Sequence, residues 1–218
     1  MPRIRLGALA SGGGTNLQSV IDRCADGRLD AEVALVISDR PGAGALARAR
    51  THGIEAWHVP VAKTGTDEWL EADRQIANAF VEARVDLICM AGYMRVIGPH
   101  LLGAFPHRIL NIHPALLPAF KGMHGPRDAL DYGTKVAGAT VHLADTDFDM
   151  GPIVIQAVVP VREDDTEATL AGRILRQEHE IYAQAIQWFA EGRLRVEGRR
   201  CIVEGVETAA RISMDASI

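Results

Sequence analysis

Val85-Asp86-Leu87-Ile88-Cys89-Met90-Ala91 is a nearly continuous apolar run of strand length. A strand wetted on one face alternates apolar with polar residues, whereas one covered by helices on both faces does not. The run therefore predicts the interior of a parallel sheet. Upstream of it, the periods predict an amphipathic helix at about 66–83, a short strand at about 55–59 and a helix at about 43–52. Further back come a strand at about 32–38, a helix at about 15–26 and a strand at about 3–10. Turn signals such as Asp39-Arg40-Pro41-Gly42 and Gly98-Pro99 separate the segments. This alternation predicts an α/β fold: an open, mostly parallel, Rossmann-like sheet with helices on both faces and right-handed crossovers. Downstream, residues 109–112, 137–143 and 153–159 read as strands. Val141, Leu143, Ile153 and Ile155 alternate as a half-buried antiparallel pair would. A long helix is expected at about 166–190, then a hairpin over 193–203 around Glu197-Gly198, with the end from Glu204 frayed or loosely attached. Residues 1–190 are expected to form one domain, and 191–218 a hairpin and tail that is not an independent domain.

Composition narrows the class. The chain has 218 residues, 48% of them hydrophobic and 23% charged, enough for a sizeable core. A net charge of -5 and a sequence pI near 5.9 leave no electrostatic footprint for nucleic acid, so any phosphate recognition has to be local. Cys24, Cys89 and Cys201 are odd in number and lack Cys-x-x-Cys spacing, which argues against a disulfide framework and a zinc site and suits a reducing cytoplasm. No apolar stretch of signal-peptide or membrane-spanning type is present.

Three short stretches carry chemistry. Ser11-Gly12-Gly13-Gly14-Thr15-Asn16 lies between the first strand and the first helix, where backbone N–H groups and the helix dipole favour an anion. Thr15 or Asn16 can add a donor, and Asn16 can cap the helix. The same glycines also serve a plain tight turn. They nearly match the dinucleotide fingerprint, with Leu17 at its third glycine and Asp39 placed to meet a ribose, so a nicotinamide-dependent oxidoreductase is a rival. Asn111-Ile112-His113-Pro114 closes a strand, with Asn111 and His113 on one face. The apolar, proline-bracketed loop over 115–122 that follows can wall off a pocket beside them. Asp145, Asp147 and Asp149 crowd a third loop that returns through Gly151-Pro152. Their spacing partly mimics a calcium loop, but the glycine and terminal glutamate of that motif are missing. One aspartate beside His113 is the more economical reading, and its charge should raise the histidine pKa and orient the ring. Glu178-His179 reads as helix surface, and His124 and His142 as structural. A noncatalytic nucleotide-binding regulator fits these residues too.

Taken in order, the motifs resemble the phosphoribosylglycinamide formyltransferases, a folate-dependent family of purine biosynthesis. The resemblance runs from residues 10–18 through Ala91-Gly92-Tyr93-Met94-Arg95, 111–118, Asp147-Phe148-Asp149-Met150-Gly151-Pro152 and 177–182 to Trp188-Phe189. The Asn-x-His-Pro and Asp-x-Gly-Pro pair alone marks only the wider superfamily, which includes methionyl-tRNA formyltransferase and formyltetrahydrofolate hydrolase. Those two typically carry an extra C-terminal or N-terminal domain, for which this chain leaves little room. The resemblance implies 10-formyltetrahydrofolate as formyl donor and glycinamide ribonucleotide as acceptor, with no metal requirement. It also implies a cytoplasmic monomer or homodimer with no nucleic-acid or membrane partner. It implies that Gly12, Gly13, Gly14, Thr15 and Asn16 hold the substrate phosphate and that Glu178 binds the ribose hydroxyls. Met94, Arg95, Val96 and Ile97, with Asp145, Thr146, Asp147, Phe148 and Asp149, would line the pteridine pocket. Asn111, His113 and Asp149 would stand at the formyl group. This sequence departs from the family at Trp69, where an arginine near the folate glutamate tail is frequent, and at Thr15, Ala115 and Met150.

Overall fold

The structure is a computed structural model and describes residues 3–146, 149–207 and 212–214. The chain packs as two compact units, Met1–Asn111 and Ile112–Ile218.

In the first unit, β1 (Ile4–Leu9), β2 (Ala31–Ser38), β3 (Glu55–His58), β4 (Leu87–Met90) and the start of β5 (Ile109–His113) lie in the order β3-β2-β1-β4-β5, every pair parallel. All four residues of β4 are buried, as an apolar run within a parallel sheet requires. α1 (Thr15–Ala25) buries Leu17, Val20, Ile21 and Cys24, one stripe at helical spacing. α2 (Gly44–Thr51) buries Ala45, Leu46 and Ala49. α3 (Asp67–Glu82) starts where the Thr66 hydroxyl accepts the Trp69 N–H, with Asp67 and Glu68 favourably placed in its first turn. Gly98-Pro99, read above as a turn, instead opens the six-residue α4 (Pro99–Ala104), where proline sits at the first helical position and sacrifices no internal bond.

The second unit has α5 (Gly125–Tyr132), β6 (Val136–Leu143), β7 (Ile153–Pro160), α6 (Glu167–Ala190), β8 (Leu194–Glu197), β9 (Arg200–Val203) and β10 (Ile212–Met214). β6 and β7 are antiparallel, with a register shift between Val141 and His142, and β8 and β9 form the expected hairpin. α5 was not anticipated, because its opening Gly125-Pro126 reads as a turn. Of the end from Glu204, expected to be frayed, Ile212–Met214 is corrected: it pairs in parallel with β7, and the Ser213 hydroxyl donates to the Gln177 side chain at 3.1 Å, while 208–211 and 215–218 lie outside the described residues. A buried Arg173–Asp165 pair at 2.7 Å ties α6 to the turn before it. Among the described residues no helix is long and apolar enough to cross a membrane.

Candidate active site

In the first unit the chain passes from β1 to β2 on one side and reaches β4 on the other, so the sheet switches direction between β1 and β4. Ligands of open α/β sheets bind outside the carboxyl ends of such strands. Two loops leave those ends, and they are tied together. The Ser11 N–H donates to the Gly92 carbonyl at 2.9 Å, and the Ser11 hydroxyl accepts the Met94 N–H at 2.9 Å.

The glycine loop is oriented from behind by α2. The Gly12 carbonyl accepts the Ala45 N–H at 3.1 Å, and the Gly13 carbonyl accepts Nε of Arg48 at 2.8 Å. In a trans peptide the C=O and the next N–H point in opposite directions. The N–H groups of Gly13 and Gly14 therefore face away from α2, where backbone donors of this kind suit an anion. Gly14 is the N-cap of α1 at φ 75°, so Asn16 is not the cap that the sequence suggested. A Cβ at Gly14 would fall 2.8 Å from the Ala45 Cα. Gly12, Gly13 and Thr15 are exposed, and Asn16 is half-buried.

In the loop after β4, Met94 is exposed and Ile97 buried. Nε of Arg95 donates to Oδ2 of Asp39 at 2.9 Å, and the other Asp39 oxygen is enclosed. That carboxylate is engaged by an arginine rather than presented to a ribose, which removes the structural support for the nicotinamide reading. Trp69 turns its indole N–H to the Val96 carbonyl at 3.1 Å.

In the second unit, His113 and Asp149 meet. Nδ1 of His113 lies 3.4 Å from Oδ2 of Asp149, and both residues are buried. Nε2 of His113 faces the Phe120 carbonyl at 2.9 Å, and the same Asp149 oxygen accepts the Gly122 N–H at 3.2 Å. The loop after Pro114 is thus hooked onto the pair. Thr140 holds its root: the hydroxyl donates to the Ala115 carbonyl at 2.7 Å and accepts the Leu117 N–H at 3.1 Å. Phe120 at φ 50° and Asp149 at φ 55° both occupy the left-handed region, a costly conformation of the kind that gathers at functional sites. Across a missing Cβ, Gly151 lets the returning chain pass the Leu143 carbonyl.

His142, read above as structural, is also at this carboxylate, with Nε2 at 3.5 Å from Oδ1 of Asp149. It lies on β6, where every residue from Ala137 to Leu143 is buried, and only the fold brings it to Asp149. Burial raises the Asp149 carboxyl, and His142, His113 and the Gly122 N–H together outweigh that effect, so the group stays below its ordinary range. His113 corrects an expectation. Its pKa is pushed below the usual value, because desolvation by burial outweighs the pull of Asp149 and of the Phe120 carbonyl.

Glu178 is buried four residues after Ile174, on the inward stripe of α6 and not on the surface. Asp145 is exposed and turns back to accept the Thr146 N–H at 2.7 Å. Asp147 and Phe148 lie outside the described residues. Asn111 lies two residues before His113 on β5, hence on the same strand face.

A Rossmann-like sheet with an anion-ready loop and a buried histidine–aspartate pair defines a group-transfer enzyme rather than a dinucleotide oxidoreductase. The chain belongs to the formyl transferase family, whose model matches residues 4–186. Within that family it is similar to phosphoribosylglycinamide formyltransferase of Escherichia coli (strain K12), at 38% identity over 197 residues, 90% of this chain and 92% of that protein. Glycinamide ribonucleotide transformylase 1 from Symbiobacterium toebii shares the fold with a TM-score of 0.88 at 51% identity, over 92% of this chain and 94% of that one. A formyltetrahydrofolate deformylase from Pseudomonas syringae pv. tomato str. DC3000 gives a TM-score of 0.85 over 92% of this chain and 66% of its own; at 27% identity it stands further away.

Proposed function

We propose that this chain transfers the formyl group of 10-formyltetrahydrofolate to the amine of glycinamide ribonucleotide, giving formylglycinamide ribonucleotide and tetrahydrofolate in the cytoplasm. The observation that carries the reading is the buried His113–Asp149 pair, following Asn111 on β5, in a chain of the formyl transferase family.

The amine attacks the formyl carbon, a C–N bond forms, and the carbonyl oxygen becomes negative. The Asn111 amide donates to that oxygen. Both His113 nitrogens face acceptors, Asp149 and the Phe120 carbonyl, so a neutral ring can serve only one of them. Burial keeps the free ring neutral; as the negative charge develops the ring takes up a proton from solvent, Asp149 stabilises the imidazolium, and that proton returns to solvent when the carbonyl re-forms. Nε2 exchanges the Phe120 carbonyl for the substrate oxygen. The bond to the folate nitrogen then breaks, and the proton lost by the amine passes, by way of water at Asp149, to that departing nitrogen. The residues at 12–16 take the phosphate on backbone donors, with Asn16 adding its amide. Glu178 takes the ribose hydroxyls. Residues 94–97 and 145–149 line the pteridine.

The test is to mix the protein with 10-formyltetrahydrofolate, with and without glycinamide ribonucleotide, and to follow tetrahydrofolate release. Release that needs the ribonucleotide and yields its formyl product supports the reading. Release without it would make the protein a hydrolase, and no release from folded, folate-binding protein would refute the transferase.

A further inference from the structure

α3 carries two side chains one turn apart, Trp69 and Asp73, and both end on the segment that follows β4. Trp69 donates its indole N–H to the Val96 carbonyl. The Asp73 carboxylate accepts three backbone N–H groups, from Gly98 at 2.7 Å, His100 at 2.8 Å and Leu101 at 3.2 Å. Asp73 is only 5% exposed, and a Cβ at Gly98 would fall 2.5 Å from its carboxyl, so the approach depends on glycine there. At its other end the segment is tied to Ser11 through Gly92 and Met94.

This pinning has a direction. The Val96 carbonyl is held towards α3, so the N–H of Ile97, in the same peptide plane, points away from it. Among the described residues, the N–H groups of Arg95, Val96 and Ile97 have no partner. They are open backbone donors in the loop that leaves the carboxyl end of β4, and the one at Ile97 has its direction set by Trp69. A flat heterocycle with ring nitrogens and a carbonyl as acceptors suits such donors, provided the peptide planes are held before it arrives.

We propose that Trp69 and Asp73 are positioning residues for the formyl donor. They act by fixing the peptide planes of 96–101, Trp69 through the Val96 carbonyl and Asp73 through the N–H groups of Gly98, His100 and Leu101, so that the pteridine meets donors already aimed. The inference rests on the reading that Met94, Arg95, Val96 and Ile97 line the pteridine pocket.

Trp69→Phe tests it, since the ring stays and only the N–H donor is lost. The quantities to measure are KM for 10-formyltetrahydrofolate, KM for glycinamide ribonucleotide, kcat, direct folate binding and Tm. Loss of one aiming hydrogen bond should raise the folate KM and Kd by about three- to tenfold, with the ribonucleotide KM and kcat within about twofold. Asp73→Asn should shift the folate KM the same way; if that variant fails to fold, Trp69→Phe decides alone. An unchanged folate KM in Trp69→Phe, or equal rises in both KM values, overturns the proposal, because a purely structural role does not select one substrate. Failure of the unmodified protein to bind 10-formyltetrahydrofolate overturns the pocket reading and the inference with it, and is seen before any variant is made.

Discussion

Replacing Asp149 by asparagine removes one charge at nearly constant size; with the amide oxygen kept at Gly122, the amide nitrogen falls at His142. Asparagine tolerates the left-handed backbone that Asp149 adopts at φ 55°, and its amide oxygen can still accept the Gly122 N–H. What disappears is the negative charge 3.4 Å from Nδ1 of His113. Two full charges at that distance attract by about 5 kcal/mol at an effective dielectric constant of ~20. The resting protein, with a neutral ring, draws little on this attraction. The imidazolium that forms against the tetrahedral oxygen draws on it fully, less what the dipole of the replacing amide recovers. A remainder of about 3–4 kcal/mol predicts a fall of about 10²–10³ in kcat, with both KM values within about threefold. Tetrahydrofolate release at saturating substrates measures it. A second readout is independent of turnover. Asp149 is the strongest force opposing burial at His113, so the ring pKa in the free variant should drop further, as an NMR titration of the histidine would show. A kcat within about tenfold of the parent, or an unmoved His113 titration, would refute the electrostatic role.

Asn111→Ala should lower kcat by about 10²–10³ with little change in either KM, measured in the same assay, because the amide matters only once the oxygen is negative. Gly14→Ala should raise the KM for the ribonucleotide selectively, since the new Cβ meets α2 at a backbone angle that alanine resists and turns the loop donors aside. Asp165→Asn removes the charge that faces Arg173 but leaves the Pro160 carbonyl and an amide oxygen as acceptors, which should cost about 1–3 kcal/mol in a denaturant titration. Stability should also decline on acidification in two stages. The unfolded chain protonates its histidine first, near pH ~6.5, because burial holds folded His113 lower. Below pH ~4 the unfolded carboxylates bind protons before Asp149 and Asp165, both held low in the folded state, and Asp165→Asn should flatten that second limb.

What could be read from the chain follows from which forces act locally. The apolar run at β4 and the stripe of α1 announce themselves, because burial on both faces removes alternation from the one and burial on one face imposes a helical period on the other. α4 and α5 are too short for a period to show, and both open with Gly-Pro, which signals a turn as readily as a helix start. β10 is three residues held by pairing with the distant β7, so no local signal marks it. In the site, Asn111, His113 and Asp149 stand out as residue types in a motif. His142 does not, since its nearness to Asp149 follows from the β6–β7 register and the loop between them. The state of His113 was misjudged for a related reason. A neighbouring carboxylate can be guessed from a motif, whereas the depth of burial that outweighs it is a property of the whole fold. Trp69 and Asp73 carry no motif at all. Their i, i+4 spacing puts them on one face of α3, and only the packed structure shows what that face holds.

The two loops at the switch point share a way of being built. Behind the glycine loop, the carbonyls of Gly12 and Gly13 are taken by Ala45 and Arg48; behind the loop after β4, the Val96 carbonyl is taken by Trp69. Each bond from behind fixes a peptide plane with its N–H on the opposite side, so on the proposed reading recognition falls to backbone dipoles that are held before ligand arrives. That reading reconciles a chain of net charge -5 with the phosphorylated substrate proposed for it. A patch of lysines would attract any anion and would weaken steeply with salt, whereas aimed N–H groups act only at contact. The sensitive positions for affinity are then the side chains behind the loops as much as the residues that line them. Substitutions there should change KM for one substrate at a time, according to which loop they hold.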